Sequence, residues 1–273
     1  MDVHKNSIAI AIAEEGRQRE VNFYGVINND MDQLHKFLRK QISQGAEPRC
    51  VYEAGPCGYN IYRSLSEKGI DCVVVAPSLI PRKSGDRIKT DRRDSETLAK
   101  LHRAGELISV YVPSLEDEAL RDLVRAREDS VNALKRVKQQ LGAFLLRHHI
   151  DSPVKSKWCK SYFNWLAGIA MPHPAQQITL QEYIETVYDC KQRVERISEQ
   201  MRQLSKQTRL YGLNKSLQSL RGVSEIVSAV VVSELGDLTR FDSPAKLMAY
   251  LGLVPSQHNS GDKKRTGSNT KTG

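Results

Sequence analysis

Four acidic residues lie at the ends of predicted elements, where their carboxylates can share one cation. Asp2 begins an apolar segment that is expected to be a strand, and Glu53 ends a second short strand. Asp91 and Asp94 lie at the predicted start of a helix, and their i, i+3 spacing places both on one helix face. Hard divalent cations such as Mg²⁺ prefer oxygen ligands and leave positions open for phosphate. The pattern therefore predicts a Mg²⁺ site formed by these four carboxylates.

Each carboxylate also has an ordinary structural explanation. Asp91 and Asp94 are typical of a helix N-terminus, where the dipole favours negative charge, and Glu53 can be a solvated strand end. His4, two residues after Asp2, is expected to be a surface histidine rather than a metal ligand. The joint placement of the four acids favours the metal site, because ions held by carboxylates stabilise the attacking and leaving oxygens of phosphodiester chemistry.

The composition indicates a globular protein of one or two domains without a membrane segment. The chain has 273 residues, of which 40% are apolar, and its mean hydropathy is -0.48. No apolar run approaches the length needed to span a bilayer, and the polar start of the chain does not resemble a signal peptide. The five cysteines are scattered without a Cys-x-x-Cys motif, which disfavours zinc and disulfides. A reducing cytoplasm is expected.

The charge balance points to a polyanionic partner. The net charge is +9 and the isoelectric point is about 9.3. Such a balance favours nucleic acid, although an ordinary basic surface explains the charge alone equally well. The distribution is more specific, because cations surround the proposed carboxylates and form a second cluster near the C-terminus. The residues predicted to bind nucleic acid are Arg82, Lys83, Arg87, Lys89, Arg92, Arg93, Lys263, Lys264 and Arg265.

Residues 1–112 predict an α/β domain. Two strands followed by alternating helices and strands indicate a mixed sheet. The continuous apolar run at 71–76 is typical of a strand that is covered on both faces. The order of elements resembles the RuvC/RNase H-like fold, a mixed sheet with acidic residues at strand ends.

Residues 113–212 predict a coiled-coil region of long helices with a linker between them. An apolar stripe with a period close to 3.5 residues runs from Leu115 to Arg147, interrupted by Arg127 and Lys138. A second long amphipathic helix is expected near residues 176–209. The two helices can pair within one chain as a hairpin or between chains.

Residues 213–273 predict a small, mostly helical C-terminal domain. The segment 220–235 resembles a helix-hairpin-helix element that meets DNA phosphate. However, Glu225 stands where a second glycine is usual, and a buried helix explains the segment equally well.

Residues 252–267 are expected to form a polar, glycine-rich and basic loop. Ser260 in this loop is a candidate nucleophile, because nearby cations can hold an attacked phosphate, although a loop serine taken alone is usually structural.

Four short motifs occur in one order along the chain. They are Asp2-Val-His-Lys5, Tyr52-Glu-Ala54, Lys89-Thr-Asp-Arg-Arg-Asp94, and Gly252-Leu-Val-Pro255 followed by Ser260-Gly261. Together, over essentially the whole chain, they resemble the DEDD transposases of bacterial insertion sequences, the bridge-RNA-guided recombinases related to pilin-gene invertases. The resemblance implies a RuvC-like N-terminal domain, a coiled-coil middle region and a C-terminal transposase domain. Both ends are shorter than the family pattern, so the C-terminal domain is expected to be truncated.

The resemblance also implies a mechanism and a set of partners. Asp2, Glu53, Asp91 and Asp94 would bind Mg²⁺ and position the scissile phosphate, while Ser260 would form a covalent serine–DNA linkage during strand cleavage and exchange. The implied partners are donor and target DNA, a bridge RNA encoded by the element, and further copies of the chain. A dimer or tetramer would assemble through the long helices. The protein is expected in the bacterial cytoplasm, associated with the nucleoid.

Two other functions remain open from the residues. A RuvC-like metal-dependent nuclease, such as a junction resolvase, would cut DNA with an activated water and would not need Ser260. An inactive nucleic-acid-binding fragment would bind in a salt-sensitive way without cleavage.

Overall fold

The computed structural model of the chain describes residues 1–16, 20–81, 90–260 and 263–270. Contacts divide the chain into two units, Met1–Val112 and Pro113–Gly273. Helices and small sheets both occur, which confirms the predicted mixture of α and β elements. The finer division into three domains stays a prediction.

The first unit begins with three antiparallel strands in the order β1 (Asp2–Val3), β2 (Ser7–Ala13) and β3 (Val21–Asn28). The expectation of one strand running from Asp2 onward is wrong. The chain turns at residues 4–6, where the His4 amide donates to the Ser7 carbonyl over 2.8 Å. Asp2 consequently pairs with Ala9, so its carboxylate stands at the start of a short edge strand.

Two further strands, β4 (Cys50–Glu53) and β5 (Cys72–Val75), run parallel to each other. Strand β1 contacts β4, and the amino group of Met1 donates to the Val51 carbonyl over 2.7 Å. The carboxyl end of β4 therefore lies close to β1. This neighbourhood brings Glu53 and Asp2 to one side of the unit.

Three helices cover these strands: α1 (Met31–Ser43), α2 (Asn60–Ser66) and α3 (Asp91–Ala104). Helix α1 begins after Asp30, whose side chain accepts a hydrogen bond from the Gln33 amide over 3.0 Å and so caps the helix. Helix α3 packs against β2 and β3. The main core of the unit consists of Met1, Ile8, Ile10, Leu34, Phe37, Leu38, Cys50, Tyr52, Ile61, Leu65, Cys72 and Val74.

The second unit is built on a pair of long helices within one chain. Helix α4 (Leu115–Arg147) has the predicted bounds, and a short helix, α5 (Lys160–Ala167), lies in the predicted linker, where none was expected. Helix α6 (Pro174–Ser205) packs antiparallel on α4. Near the linker, these three helices share a hydrophobic core that consists of Leu141, Phe144, Leu145, Tyr162, Phe163, Leu166, Leu180 and Val187.

The two charged interruptions of the α4 stripe have specific contacts. Arg127 donates from Nε to the Ser198 hydroxyl on α6 over 2.8 Å. The Lys138 ammonium lies 5.1 Å from the centre of the Trp158 ring, within the range of a cation–π interaction. Both cations therefore contribute to the packing of the helix pair.

The rest of the second unit comprises α7 (Tyr211–Leu217), α8 (Glu225–Leu235), α9 (Pro244–Tyr250) and two antiparallel strands, β6 (Pro255–Ser260) and β7 (Lys263–Asn269). The predicted loop over 252–267 is therefore wrong, because most of it forms a β-hairpin. Helix α8 packs on α4, α6 and α7. Among the helices of the described ranges, none combines the length and the apolarity needed to cross a membrane.

Candidate metal and nucleic-acid site

The Asp91 side chain meets those of Asp2 and His4, which are distant from it in sequence, in the first unit. The His4 Nε2 atom lies 3.2 Å from Asp2 Oδ2 and 3.4 Å from Asp91 Oδ1. One potential ligand atom from each residue lies within 4.8 Å of the other two. Within the described ranges this is the one group of three or more His, Cys, Asp or Glu residues that could hold a metal ion.

Local structure fixes where these three side chains stand. Asp91 is the first residue of α3, whose cap is the Thr90 hydroxyl, an acceptor for the Arg93 amide over 3.3 Å. The turn that carries His4 is held from β3, because the Asn29 side-chain amide donates to the His4 carbonyl over 2.8 Å. Asp2 is held by its pairing in β1.

Glu53 borders a cleft that also contains Asp2. The cleft has a volume of about 590 Å³, and its other lining residues are Val3, His4, Lys5, Asn29, Ala54, Gly55, Pro56 and Cys57. The buried Tyr52 hydroxyl donates to the Gly58 carbonyl over 3.2 Å and so anchors the loop that follows Glu53. Burial raises the pKa of Tyr52, which keeps this hydroxyl protonated as a donor.

Asp94 lies one helical turn after Asp91 and is half-buried. The structure thus brings Asp2 and Asp91 together, puts Glu53 on a cleft with Asp2, and leaves Asp94 outside the described three-residue group. His4 is exposed, as expected of a surface residue, and its ring also contacts both carboxylates, which was not expected. The only signal in the sequence was its place two residues after Asp2.

The donor set suits a divalent cation. Two carboxylates provide the oxygen ligands that Mg²⁺ and Mn²⁺ prefer, and an imidazole nitrogen is accepted by Mn²⁺ and by later transition metals. Asp2, Asp91 and His4 would hold the ion, with Glu53 within the same cleft. Lys5 brings a positive charge to that cleft, where it can contact phosphate.

The cations predicted to bind nucleic acid differ in their structural environments. Arg92 donates from Nε to Glu96 over 2.8 Å, and its guanidinium lies 5.4 Å from the Phe23 ring centre. Arg93 and Arg265 are exposed. The residues that lie outside the described part of the chain are Arg82, Lys83, Arg87 and Lys89, together with the side chains of Lys263 and Lys264.

The predicted nucleophile belongs to the second unit. Ser260 is the exposed last residue of β6 and pairs with Lys263 of β7. Ser260 therefore lies at the end of a strand rather than in the loop that was expected. Ser256 lies on the same strand and donates from its hydroxyl to the Ser268 carbonyl over 3.3 Å.

Comparisons with known proteins identify the family of the chain. A transposase model of the DEDD, IS110 type matches residues 1–150, and a model described as the IS116/IS110/IS902 family of transposases matches residues 214–273. A Sinorhizobium fredii protein named as a transposase, y4qE, is 42% identical over all of this chain and 67% of its own length. The transposase for insertion sequence element IS1533 of Leptospira borgpetersenii is 32% identical over 87% of this chain and 69% of its own.

The two matching models, which together cover most of the chain, show that the protein is a transposase. The chain belongs to the IS110 family of insertion-sequence transposases. Proteins of this class bind DNA, cut it and rejoin it.

Proposed function

We propose that the protein cleaves and exchanges DNA strands with a Mg²⁺-binding site formed by Asp2, Glu53, Asp91 and Asp94 and with Ser260 as the nucleophile. The observation that carries the proposal is the convergence of Asp2, His4 and Asp91, which come from a short strand, the turn that follows it and a helix start. The packing of α3 on the sheet brings Asp91 to Asp2 and His4 from a distant part of the sequence. The small antiparallel and parallel sheets of the first unit, with Asp2 and Glu53 at strand ends, support a RuvC-like interpretation of that unit.

The chemistry assigned to each residue is simple. A bound divalent cation would stabilise negative charge on the oxygens around phosphorus. The carboxylates would hold that ion beside the scissile phosphate, and Lys5 would offset the phosphate charge in the cleft. The Ser260 oxygen loses its proton and bonds to phosphorus, while the bond to one strand breaks and that strand's oxygen gains a proton. A hydroxyl of another strand then displaces the serine in the reverse reaction.

The finer partners rest on the family resemblance. A structured bridge RNA from the element itself would select donor and target DNA, and a dimer or tetramer would hold both duplexes at the bacterial nucleoid. Pairing of α4 with α6 inside one chain leaves the outer faces of the pair for such assembly. Sequencing the RNA that co-purifies with the protein tests the guide.

A matched pair of serine variants tests the nucleophile. Wild-type protein incubated with Mg²⁺ and DNA carrying the element end should give a covalent protein–DNA adduct on a denaturing gel. Ser260→Ala should give no adduct, whereas Ser256→Ala, a change of the same size on the same strand, should give the wild-type amount. Asp91→Asn should bind DNA but form at least about 100-fold less adduct, since it removes a ligand rather than an outer contact.

A plain nuclease is the second candidate, because the acidic cluster is complete within the first unit. It predicts DNA ends free of protein and full cleavage by Ser260→Ala. Adduct formation by Ser260→Ala would exclude the serine role, and protein-free ends from the wild type would favour the nuclease.

A further inference from the structure

Most of the protein's excess charge lies in one short segment of the second unit. Residues 135–173 contain seven lysines and arginines against a single acid, Asp151, for a net charge of +6 out of the total of +9. This segment covers the end of α4, the linker with α5, and the residues that lead into α6. We call it the hairpin tip. Its cations are Lys135, Arg136, Lys138, Arg147, Lys155, Lys157 and Lys160.

These cations are available to a ligand. All except the half-buried Lys138 are exposed. Within the described residues none of the seven forms an ion pair with a carboxylate. The body of α6 differs, because there Arg202 lies 3.0 Å from Glu199 and Lys191 lies 3.9 Å from Glu195. Uncompensated charge of one sign repels itself, so the tip gains from an external polyanion.

The tip is a packed surface rather than a loose linker. The Trp158 and Tyr162 rings lie 5.1 Å apart, and Lys138 lies over Trp158. Trp158 has a φ of 70° and His149 a φ of 56°, a left-handed conformation that is uncommon for such residues and is held only where the surroundings fix it. The exposed cations therefore stand on a rigid base, which reduces the ordering cost of binding.

The chemistry of the tip fits a phosphate backbone. Duplex DNA presents one negative charge about every 1.7 Å of its axis, and lysines and arginines bind it without reading sequence. We propose that the hairpin tip is a second DNA-binding surface, separate from the acidic site. Its cations bind the phosphates of duplex DNA. The proposal rests on the proposed function only in taking DNA as the substrate, since no tip residue takes part in the chemistry assigned above.

Counterion release makes the proposal measurable. Each phosphate contact lowers the slope of log binding constant against log salt by about 0.9 for duplex DNA. The variant Lys155→Gln/Lys157→Gln/Lys160→Gln removes three contacts, so its slope should be shallower by about 2–3. Between 50 and 200 mM salt, the variant should therefore lose roughly 40-fold less affinity than the wild type does. Fluorescence anisotropy with a labelled duplex of arbitrary sequence, in Mg²⁺-free buffer, gives both slopes.

A control variant removes the same charge elsewhere on the helix pair. Lys191→Gln/Arg193→Gln/Arg196→Gln neutralises three exposed cations of α6 that alternate with acids such as Glu195. The slope of log binding constant against log salt should stay within about one of the wild-type value, because each of these cations has an acid three or four residues away on α6, namely Asp189, Glu195 or Glu199. Both variants exchange exposed side chains only, and circular dichroism checks that each folds.

Each outcome decides the question. A tip variant with the wild-type slope, or a control variant with the same reduction as the tip variant, would overturn the tip as a DNA surface. A reduction seen with RNA but absent with duplex DNA would also overturn it and make the tip an RNA surface. If the wild type itself shows no salt-dependent DNA binding, the proposed function fails as well. A tip variant that binds weakly but still forms the Ser260 adduct leaves that function intact.

Discussion

Replacing Arg209 with methionine should destabilise the second unit by about 2–3 kcal/mol, less than a fully buried pair would lose. Arg209, which follows α6, forms an ion pair with Asp117 in the first turn of α4. The Asp117 side chain is 2% exposed and that of Arg209 is 44% exposed. Methionine keeps most of the apolar stem but removes the charge. The carboxylate is then left in the interior without the guanidinium.

The magnitude follows from these exposures. Breaking a fully buried ion pair costs about 3–5 kcal/mol, because one charge stays desolvated. Two effects reduce that cost here. Water already reaches Arg209, which weakens the original attraction, and the N-terminus of α4 stabilises a negative charge by about 0.3–1 kcal/mol. For a unit of this size the remaining 2–3 kcal/mol corresponds to a fall in Tm of roughly 4–12 °C.

A second substitution should recover part of the loss. Asp117→Asn combined with Arg209→Met should be more stable than Arg209→Met alone by about 1 kcal/mol, because a neutral amide is less costly to bury unpaired than a carboxylate. Arg202→Met is the matched control. Its side chain is 41% exposed, and its partners Glu199 and Glu225 are 56% and 30% exposed, so the loss should stay below about 1 kcal/mol.

Thermal and urea unfolding, followed by circular dichroism, give the free energy of unfolding of the wild type and of the three variants. The reasoning is refuted if Arg202→Met and Arg209→Met are equally destabilised, since burial of the partner carboxylate would then be irrelevant. It is also refuted if the double variant is less stable than Arg209→Met, since the unpaired charge would then not be the source of the loss.

Two further predictions concern the first unit. Burial lowers the pKa of His35 from its ordinary 6.5, and its ring contacts the Ser64 hydroxyl over 2.8 Å. Just below pH 6.5 the folded chain therefore binds fewer protons than the unfolded chain. The free energy of unfolding should reach its full value above pH 6.5 and fall as the pH drops below it. His35→Gln should flatten this part of a Tm-against-pH curve. Tyr52→Phe removes the bond to the Gly58 carbonyl and should cost about 1 kcal/mol in unfolding measurements. The loosened loop after Glu53 should also slow adduct formation, and an unchanged rate would show that the loop is held by other contacts.

Helix bounds could be predicted well where capping and periodicity agreed. Helix α4 begins after Ser114, whose hydroxyl accepts from the Asp117 amide over 3.1 Å, and its apolar stripe continues to Arg147. Helix α3 begins after Thr90 for the same reason. These signals are local, because a cap and a 3.6-residue period both act within a few turns.

The errors arose where the decisive contact was distant in sequence. The turn at residues 4–6 depends on Asn29, which is 25 residues away from the His4 carbonyl that it binds. The β6–β7 hairpin is made of polar residues, so no hydrophobic alternation marked it. Helix α5 is short, and its aromatic residues matched a packed linker as well as a helix. Periodicity carries no information about such contacts.

The candidate site shows the same limit at the level of chemistry. Asp2, Glu53 and Asp91 could be proposed from the sequence because each stands at the end of a predicted element, and their role in a metal site stays a prediction. The distances between the site side chains could not be predicted. The contact between His4 and Asp91, for example, depends on the packing of α3 on the sheet. A residue that completes an acidic cluster from a turn, as His4 does, leaves no pattern of its own.

The proposed roles occupy separate segments of the chain, which makes their phenotypes separable. The acidic cluster lies in the first unit, while Ser260 and the hairpin tip lie at different places in the second. Loss of Ser260 should abolish the adduct with an unchanged salt slope. Loss of the tip cations should flatten the slope yet leave adduct formation measurable at low salt. Phenotypes that could not be separated in this way would mean that one surface serves both binding and chemistry, and that the assignment of separate roles is wrong.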